Sequence, residues 1–269
     1  MSVSIDALSV VLVEPSKAQS HIAKSYLQQL GISLIRHYTT GETALDAMFS
    51  ECTPDVVFSS MYLSDMTGTD LVLRLRNHDK TRDICFSLMS SEQNPEYLEP
   101  LRQAGVISIL PKPLTIEGLR QTFRSITELY NPKDMNVEIY LDQVKVLLVD
   151  DSATARRFMK RVLESLGLEN IKTAKDGVEA VEMLEEVTYD LIVTDLHMPR
   201  MDGIELVDWI RNCSLRPSVP ILMATSEQNE DVLHLARENG VTAICDKPFE
   251  PQLVREILQD ALSGEDAVG

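Results

Sequence analysis

Acidic side chains follow two short apolar runs in the second half of the chain. Asp150 and Asp151 come directly after the run at 145–149, and Asp195 follows the run at 189–194. Because the carboxyl ends of neighbouring parallel strands meet at one edge of a sheet, we expect the three carboxylates to lie close together. Crowded carboxylates repel one another, and a hard, oxygen-preferring cation such as Mg²⁺ relieves that repulsion. The sequence therefore predicts a cation site at this edge.

Two further polar side chains follow apolar runs in the same half. Thr225 comes after the run at 219–224, and Lys247 comes after the run at 242–246. Thr225 offers a hydroxyl, and Lys247 offers a cation where a phosphoryl group would need charge neutralisation. Singly, these acids could be helix N-caps and the lysine a solvated loop residue. Five such residues at strand ends favour a functional site.

The elements that must position these residues alternate regularly. Apolar runs rich in Val, Ile and Leu alternate with stretches of helical periodicity, which indicates five βα units in the second half. Nearly continuous apolar runs are typical of parallel strands buried on both faces, so we predict a doubly wound α/β fold with strand order 2-1-3-4-5. The predicted strands are 145–149, 170–174, 189–194, 219–224 and 242–246, and the predicted helices are 152–166, 176–186, 203–212, 228–239 and 250–262.

The first half of the chain repeats this pattern. Residues 10–13 align with 146–149 at an offset of 136, and from residue 55 onward the offset is 135. The one extra residue falls in a predicted loop, where insertions are tolerated. A tandem duplication of two (βα)5 domains is therefore predicted. Its parts are a first domain at 1–130, a linker at 131–143 and a second domain at 144–269.

Four motifs of the second half resemble those of a known family, the receiver domains of two-component response regulators. They are VDDS at 149–152, TDLHMPRMDG at 194–203, ATS at 224–226 and DKPF at 246–249. The resemblance extends to both repeats. It implies two flavodoxin-like sheets of the kind found in CheY, and it implies a protein that receives a phosphoryl group from a kinase phosphohistidine.

The resemblance also implies a role for each acidic residue of the second repeat. Asp195 is the implied phosphoacceptor. Mg²⁺ is implied to bind Asp151, Asp195 and the backbone carbonyl of His197, and to bind Asp150 through a water molecule. Metal binding is expected in the second repeat only.

The remaining motif residues have implied roles after transfer. Lys247 would contact the phosphoryl oxygens and Thr225 would bond to them, drawing its loop inward. The family also implies cis peptide bonds at Lys112-Pro113 and Lys247-Pro248, where a cis bond is least unfavourable. One position departs from the family, which usually carries an aromatic switch residue three places before the lysine. Ile244 stands there, and it has no ring that could turn between exposed and buried states, so weaker or different coupling is expected.

The first repeat has lost most of these groups. At the positions of the second repeat's acid pair, phosphoacceptor and threonine, the first repeat has Glu14 and Pro15, Ser60, and Ser90. The lysine is retained as Lys112. Carboxylate count governs the affinity for hard cations, so this set is a poor Mg²⁺ site. Ser60 has no base within its motif and should be a weak nucleophile. We therefore predict a degenerate receiver, or pseudoreceiver, that acts through docking or dimerisation.

Composition excludes several other classes of protein. A net charge of −17 lacks the basic surface that nucleic-acid binding requires. No apolar run approaches the roughly 18 residues of a membrane span, and the N-terminus lacks a basic signal region. The cysteines are far apart and form no CxxC pair, so we interpret Cys52, Cys85, Cys213 and Cys245 as reduced packing residues. A reducing cytoplasm is the expected location.

Three functional classes are compatible with these sequence features. The leading one is a signalling protein that carries no effector domain and acts through contacts with other proteins, with at most slow autodephosphorylation. Its expected partners are a sensor histidine kinase or histidine phosphotransfer protein, an unknown downstream protein and, in a homodimer, a second copy of the chain. A haloacid-dehalogenase-type phosphatase would need a second Asp where His197 stands. A binding module that is never phosphorylated is the third class.

Overall fold

The computed structural model describes residues 4–50, 53–92, 94–131, 141–249, 251 and 254–255. The chain divides into two compact units, Met1–Asn131 and Pro132–Gly269. Most of the predicted linker, at 132–140, lies outside the described residues, and so does most of the predicted helix at 250–262.

The described residues of the first unit form one five-stranded parallel sheet with helices between the strands. The strand order is β2-β1-β3-β4-β5. The strands are β1 (Ser9–Val13), β2 (Leu34–Tyr38), β3 (Val56–Ser60), β4 (Cys85–Ser90) and β5 (Ser108–Pro111), and the α-helices are α1 (Lys17–Gln29), α2 (Gly41–Ser50), α3 (Gly68–Arg76), α4 (Pro95–Gln103) and α5 (Ile116–Tyr130).

The second unit builds an equivalent sheet in the order β7-β6-β8-β9-β10. All of its strand pairs are parallel. The predicted 2-1-3-4-5 order is therefore confirmed in both units. Its strands are β6 (Lys145–Val149), β7 (Asn170–Ala174), β8 (Leu191–Asp195), β9 (Ile221–Thr225) and β10 (Ala243–Asp246), and its described α-helices are α6 (Ala153–Ser165), α7 (Gly177–Glu186), α8 (Gly203–Cys213) and α9 (Glu230–Glu238).

Two predicted strand ends were short by one residue. Asp195 is the last residue of β8 and Thr225 the last residue of β9, because pairing continues through Asp195 opposite Ala224 and through Thr225 opposite Asp246. Backbone pairing fixes the direction of each side chain, since successive residues of a strand point to opposite faces. Both functional side chains therefore start from ordered strand positions.

Central strands carry the core of each unit, and their burial explains their apolar sequences. Residues 146–149 of β6 have no exposed surface, and all five residues of β8 are buried. Close packing extends to the strand end, where a Cβ at Gly203 would overlap the carbonyl oxygen of Asp195. Gly68 has the same role in the first unit, where an added Cβ would lie 2.7 Å from the Ser60 carbonyl oxygen. Glycine therefore lets α3 and α8 start against the strand ends that hold the site.

The described cysteines divide into two groups. Cys85 and Cys245 are buried in β4 and β10, as expected of packing residues, whereas Cys213 at the end of α8 is exposed. The packing interpretation is therefore wrong for Cys213, because helix α8 turns that last position away from its apolar face. Cys52 lies outside the described residues. Among the helices described, none combines the length and apolar character of a membrane span.

Candidate functional site

The carboxyl ends of β6 and β8 bring three aspartates of the second unit together. Asp150 and Asp151 follow β6, and Asp195 ends β8. One ligand oxygen from each lies within 4.8 Å of the other two. Asp150 and Asp195 are buried, whereas Asp151 is exposed. The cluster therefore has a buried floor and one carboxylate open to solvent.

Lys247 joins the two buried aspartates. Its Nζ lies 2.8 Å from Asp150 Oδ2 and 3.0 Å from Asp195 Oδ2, and only 3% of the lysine side chain is exposed. The Lys247 backbone N–H donates to the Thr225 carbonyl over 2.8 Å, which fixes the lysine at the end of β9. The Lys247-Pro248 and Lys112-Pro113 bonds are both cis, as predicted.

Backbone donors hold one oxygen of each buried carboxylate. Ser152 N–H donates to Asp150 Oδ1 over 2.8 Å, and Leu196 N–H donates to Asp195 Oδ1 over 2.8 Å. Asp195 Oδ2 is fully buried and accepts no aligned hydrogen bond from the described residues, although Lys247 Nζ is nearby. This oxygen is therefore available to a ligand that the protein itself does not supply.

Burial and mutual repulsion disturb the titration of the cluster. Burial raises the pKa of Asp150 to about 6, with the charge of Asp195 adding to the rise and Lys247 opposing it. Burial also raises the pKa of Asp195, again against the attraction of Lys247. Burial alone would lower the pKa of Lys247, but the two carboxylates reverse this and raise it. The single positive charge of Lys247 thus lies beside two buried carboxylates, so the negative charge of the cluster is only partly neutralised.

These features fit a divalent cation. Mg²⁺ takes oxygen ligands and is usually held by one or two carboxylates together with water and phosphate oxygens. Asp195 Oδ2 is a buried oxygen whose nearby donor, Lys247 Nζ, is shared with Asp150, and exposed Asp151 opens the cluster to solvent. In the described part of the first unit no comparable group of three His, Cys, Asp or Glu side chains occurs.

Three predicted residues lie around this cluster with contacts that the sequence did not reveal. Thr225 is buried, and its Oγ1 accepts a hydrogen bond from the Glu227 N–H over 3.0 Å. His197 is exposed, and its Nε2 lies 3.2 Å from Glu227 Oε2. Ile244 is half-buried in β10 and packs against the apolar core below the site.

Sequence reasoning missed an ion pair between buried Asp176 and half-exposed Arg200. Arg200 has a φ of 69°, and its Nε donates to Asp176 Oδ2 over 2.8 Å. Asp176 is buried and also caps α7 by accepting from Glu179 N–H over 3.0 Å. Burial alone would raise the pKa of Asp176, but the hydrogen bonds from Arg200 and Glu179 lower it. The pair ties the loop after β8 to α7, and the N-cap position of Asp176 was its only sequence signal.

The equivalent positions of the first unit form a closed network. Glu14 is buried, Lys112 Nζ donates to Glu14 Oε2 over 2.9 Å, and Ser60 Oγ donates to the same oxygen. Lys112 Nζ also donates to Ser60 Oγ over 2.8 Å. Ser90 Oγ accepts from Glu92 N–H over 2.9 Å, as Thr225 accepts from Glu227. Pro15 contributes no side-chain ligand, so one carboxylate remains and its charge is balanced by Lys112.

We expect the Mg²⁺ affinity of the second unit to fall as the pH is lowered through about 6, the pKa of Asp150. Mg²⁺ binds ionised carboxylates, so below this pKa it must displace a proton. The association constant should fall about tenfold per pH unit well below the pKa and stay level above it. Calorimetric titrations between pH 5 and 8 measure this, and Asp150→Asn should flatten the fall. An affinity that is level over the whole range would contradict the assignment.

Comparison with known proteins agrees with this geometry. Residues 10–124 and 146–259 each match the response regulator receiver domain family. The chain is 39% identical over 124 residues to the chemotaxis protein CheY1 of Helicobacter pylori, covering 46% of this chain and 100% of CheY1. It is 38% identical over 116 residues to CheY of Pseudomonas aeruginosa, covering 43% and 94% of the two chains.

Solved structures include similar chains. CheY4 of Vibrio cholerae is 34% identical, and the match covers 44% of this chain and 98% of CheY4 with a TM-score of 0.41. Receiver domains are signalling proteins that interact with histidine kinases or phosphotransfer proteins, and they generally bind Mg²⁺ in an acidic pocket. The predicted resemblance is confirmed in both halves: the chain belongs to the response regulator receiver domain family and is a tandem pair of receiver domains.

Proposed function

We propose that the second unit is a phosphoacceptor and that Asp195 receives a phosphoryl group from a phosphohistidine. The donor would be a sensor histidine kinase or a histidine phosphotransfer protein. One observation carries the proposal: Asp195 Oδ2 is buried without an aligned hydrogen bond, yet it lies 3.0 Å from Lys247 Nζ within an acidic cluster. A structural aspartate would have both oxygens satisfied.

The chemistry follows from what these side chains offer. An Asp195 oxygen attacks phosphorus, the phosphorus–nitrogen bond breaks, and its electron pair returns to the imidazole of the donor. Lys247 neutralises charge on the phosphoryl oxygens. Asp150, Asp151, Asp195 and the His197 carbonyl would hold Mg²⁺, whose chemistry is to neutralise phosphoryl charge during transfer. An ionised carboxylate carries no proton to be removed, so Asp195 needs no general base.

The first unit has a different part in this proposal. Ser60 is buried, and its hydroxyl donates a hydrogen bond to Glu14 and accepts one from Lys112. Burial alone would raise the pKa of Glu14, but hydrogen bonds lower it, which makes Glu14 a weak base for activating this hydroxyl. We propose that the first unit is a pseudoreceiver that binds neither Mg²⁺ nor phosphate and serves in docking or dimerisation. Output would pass through protein contacts, with a downstream protein or a second copy, in a cytoplasmic setting.

The test of this function is the stoichiometry and metal dependence of phosphorylation. Incubation of the full chain with Mg²⁺ and a small-molecule phosphodonor is expected to add one phosphoryl group per chain. Chelation of Mg²⁺ should reduce uptake to the background level, because the acidic cluster then repels the donor. Uptake that is independent of metal, or two groups per chain, would contradict the division between the two units. No uptake from any donor or kinase would favour a binding module that is never phosphorylated.

Replacing Thr225 by Ala should separate phosphoryl uptake from the conformational response. One hydrogen bond to the phosphoryl group is lost, so transfer should slow by no more than about tenfold. The conformational response to a beryllofluoride-type mimic is measured as NMR shifts of the α9 amides. It should largely disappear, because the variant lacks the hydroxyl that would exchange its hydrogen bond with the Glu227 N–H for one with the phosphoryl oxygens. Thr225→Ser keeps the hydroxyl and should keep the response. A full response in the Ala variant would contradict this role.

A further inference from the structure

Two tyrosines of the first unit are largely exposed and have no part in the proposed phosphoryl chemistry. Tyr62 lies between β3 and α3, and 61% of it is exposed. Tyr97 lies in the first turn of α4 and is 59% exposed. Tyrosine is among the residues that contribute most to binding energy at protein interfaces. Two exposed tyrosine rings on one domain are therefore candidates for contact with another molecule.

Tyr62 is hydrogen-bonded to the loop that leads into α4, the helix that carries Tyr97. Tyr62 OH donates to Glu92 Oε2 over 3.2 Å, and Asn94 N–H donates to Glu92 Oε1 over 2.9 Å. Asn94 is in turn the N-cap of α4, the helix that carries Tyr97. The Glu92 hydrogen bond is the main cause of a raised pKa at Tyr62. The loop and helix thus present both rings on an ordered surface.

The two chain segments that carry the rings contain acidic residues and no basic ones. Residues 61–67 and 91–99 contain no Lys or Arg, and their charged residues are Asp65, Glu92, Glu96 and Glu99. Asp65 is used within the fold, where it accepts from the N–H groups of α2, and Glu99 lies 3.8 Å from Arg102. Glu92 accepts hydrogen bonds from the Tyr62 hydroxyl and the Asn94 N–H. Glu96 is exposed one residue before Tyr97.

The second unit provides an internal comparison. At the offset of 135, His197 and Glu227 occupy the places of Tyr62 and Glu92 and keep the same contact at 3.2 Å. The place of Tyr97 is taken by Val232, which is half-buried. The aromatic pair is therefore particular to the unit whose acidic cluster has been lost.

We propose that Tyr62, Glu92, Glu96 and Tyr97, together the tyrosine–carboxylate face, bind a segment of a partner protein that carries Arg or Lys. A cation over a tyrosine ring is attracted by the negative face of the ring, and guanidinium also stacks on the ring plane. The carboxylates beside the rings complement the same charge. Since Ser60 is not an acceptor, this face is presented without regard to phosphorylation, which suits a constitutive docking site.

The test uses the full chain and a short blocked peptide with two arginines, at about 0.15 M salt to screen diffuse attraction. A peptide with glutamine in place of both arginines is the neutral control. NMR titration should shift the amide signals of Tyr62 and Tyr97 first and leave the second unit largely unchanged. The double variant Tyr62→Ser/Tyr97→Ser keeps the net charge and should weaken binding about fivefold.

Two further variants make the outcome specific. Tyr62→Phe/Tyr97→Phe keeps both rings and should bind within about twofold of the wild type, which also shows that the face stays folded. Glu186→Gln removes one exposed carboxylate from the second unit and should have no more than a similarly small effect. Unweakened binding by the double Ser variant would overturn the proposal. Shifts spread evenly over acidic surface in both units, or equal binding of the glutamine peptide, would also overturn it.

Discussion

Replacing Lys247 by Met is expected to destabilise the second unit by about 3–5 kcal/mol in the absence of metal, the loss typical of a broken buried ion pair. The substitution leaves Asp150 and Asp195 buried without the cation that lies 2.8 and 3.0 Å from them. Phosphoryl uptake should fall as well, because the charge beside the phosphoryl oxygens is lost. Denaturant titration followed by Trp209 fluorescence measures the stability, since this single tryptophan packs against the core of the second unit.

Lys112→Met in the first unit is the matched control for Lys247→Met. Its side chain is 22% exposed, against 3% for Lys247, and it pairs with one carboxylate, so its removal should destabilise less. Circular dichroism follows the unfolding of that unit. Mg²⁺ should restore part of the stability of the Lys247 variant and none in the Lys112 variant. Equal losses at the two positions, or unchanged stability of the Lys247 variant, would contradict the charge balance described above.

Replacing Asp195 by Asn is expected to abolish phosphoryl uptake while the fold survives. The amide has nearly the same shape, but it is neutral and a far weaker nucleophile than a carboxylate. Mg²⁺ affinity should also fall, because the carboxylates of the cluster drop from three to two. Removal of a buried charge whose pKa is already raised should not destabilise the metal-free protein. Calorimetry with Mg²⁺ and denaturant titration measure these two effects, and Ser60→Ala should leave the Mg²⁺ affinity unchanged.

Sequence patterns predicted the fold because they have a simple physical origin. Parallel strands buried on both faces require continuous apolar runs. The two halves of the chain show the same succession of such runs, so each half supports the same predicted topology. The position of the acidic cluster could then be predicted from the strand order, because its residues follow or end β6 and β8, two neighbouring strands whose carboxyl ends meet. The errors of one residue at Asp195 and Thr225 arose because polar residues can continue a ladder that is hydrogen-bonded through the backbone.

Side-chain partners could not be predicted in the same way. The Arg200–Asp176 pair depends on a backbone φ of 69° in a loop, and no periodic pattern encodes that angle. The closed network of Glu14, Ser60 and Lys112 depends on rotamers that bring three long-range positions together. The loss of carboxylates in the first repeat was visible in the sequence, whereas the way Lys112 balances the remaining charge was not.

The central claim is that Asp195 alone accepts the phosphoryl group, and intact mass measurement tests it most directly. Wild type, Asp195→Asn and Ser60→Ala are incubated with the same phosphodonor and Mg²⁺ and compared without digestion. Wild type and Ser60→Ala should each gain the mass of one phosphoryl group, and Asp195→Asn should gain none. An equal gain in Asp195→Asn, or no gain in the wild type from any phosphodonor or kinase, would contradict the claim.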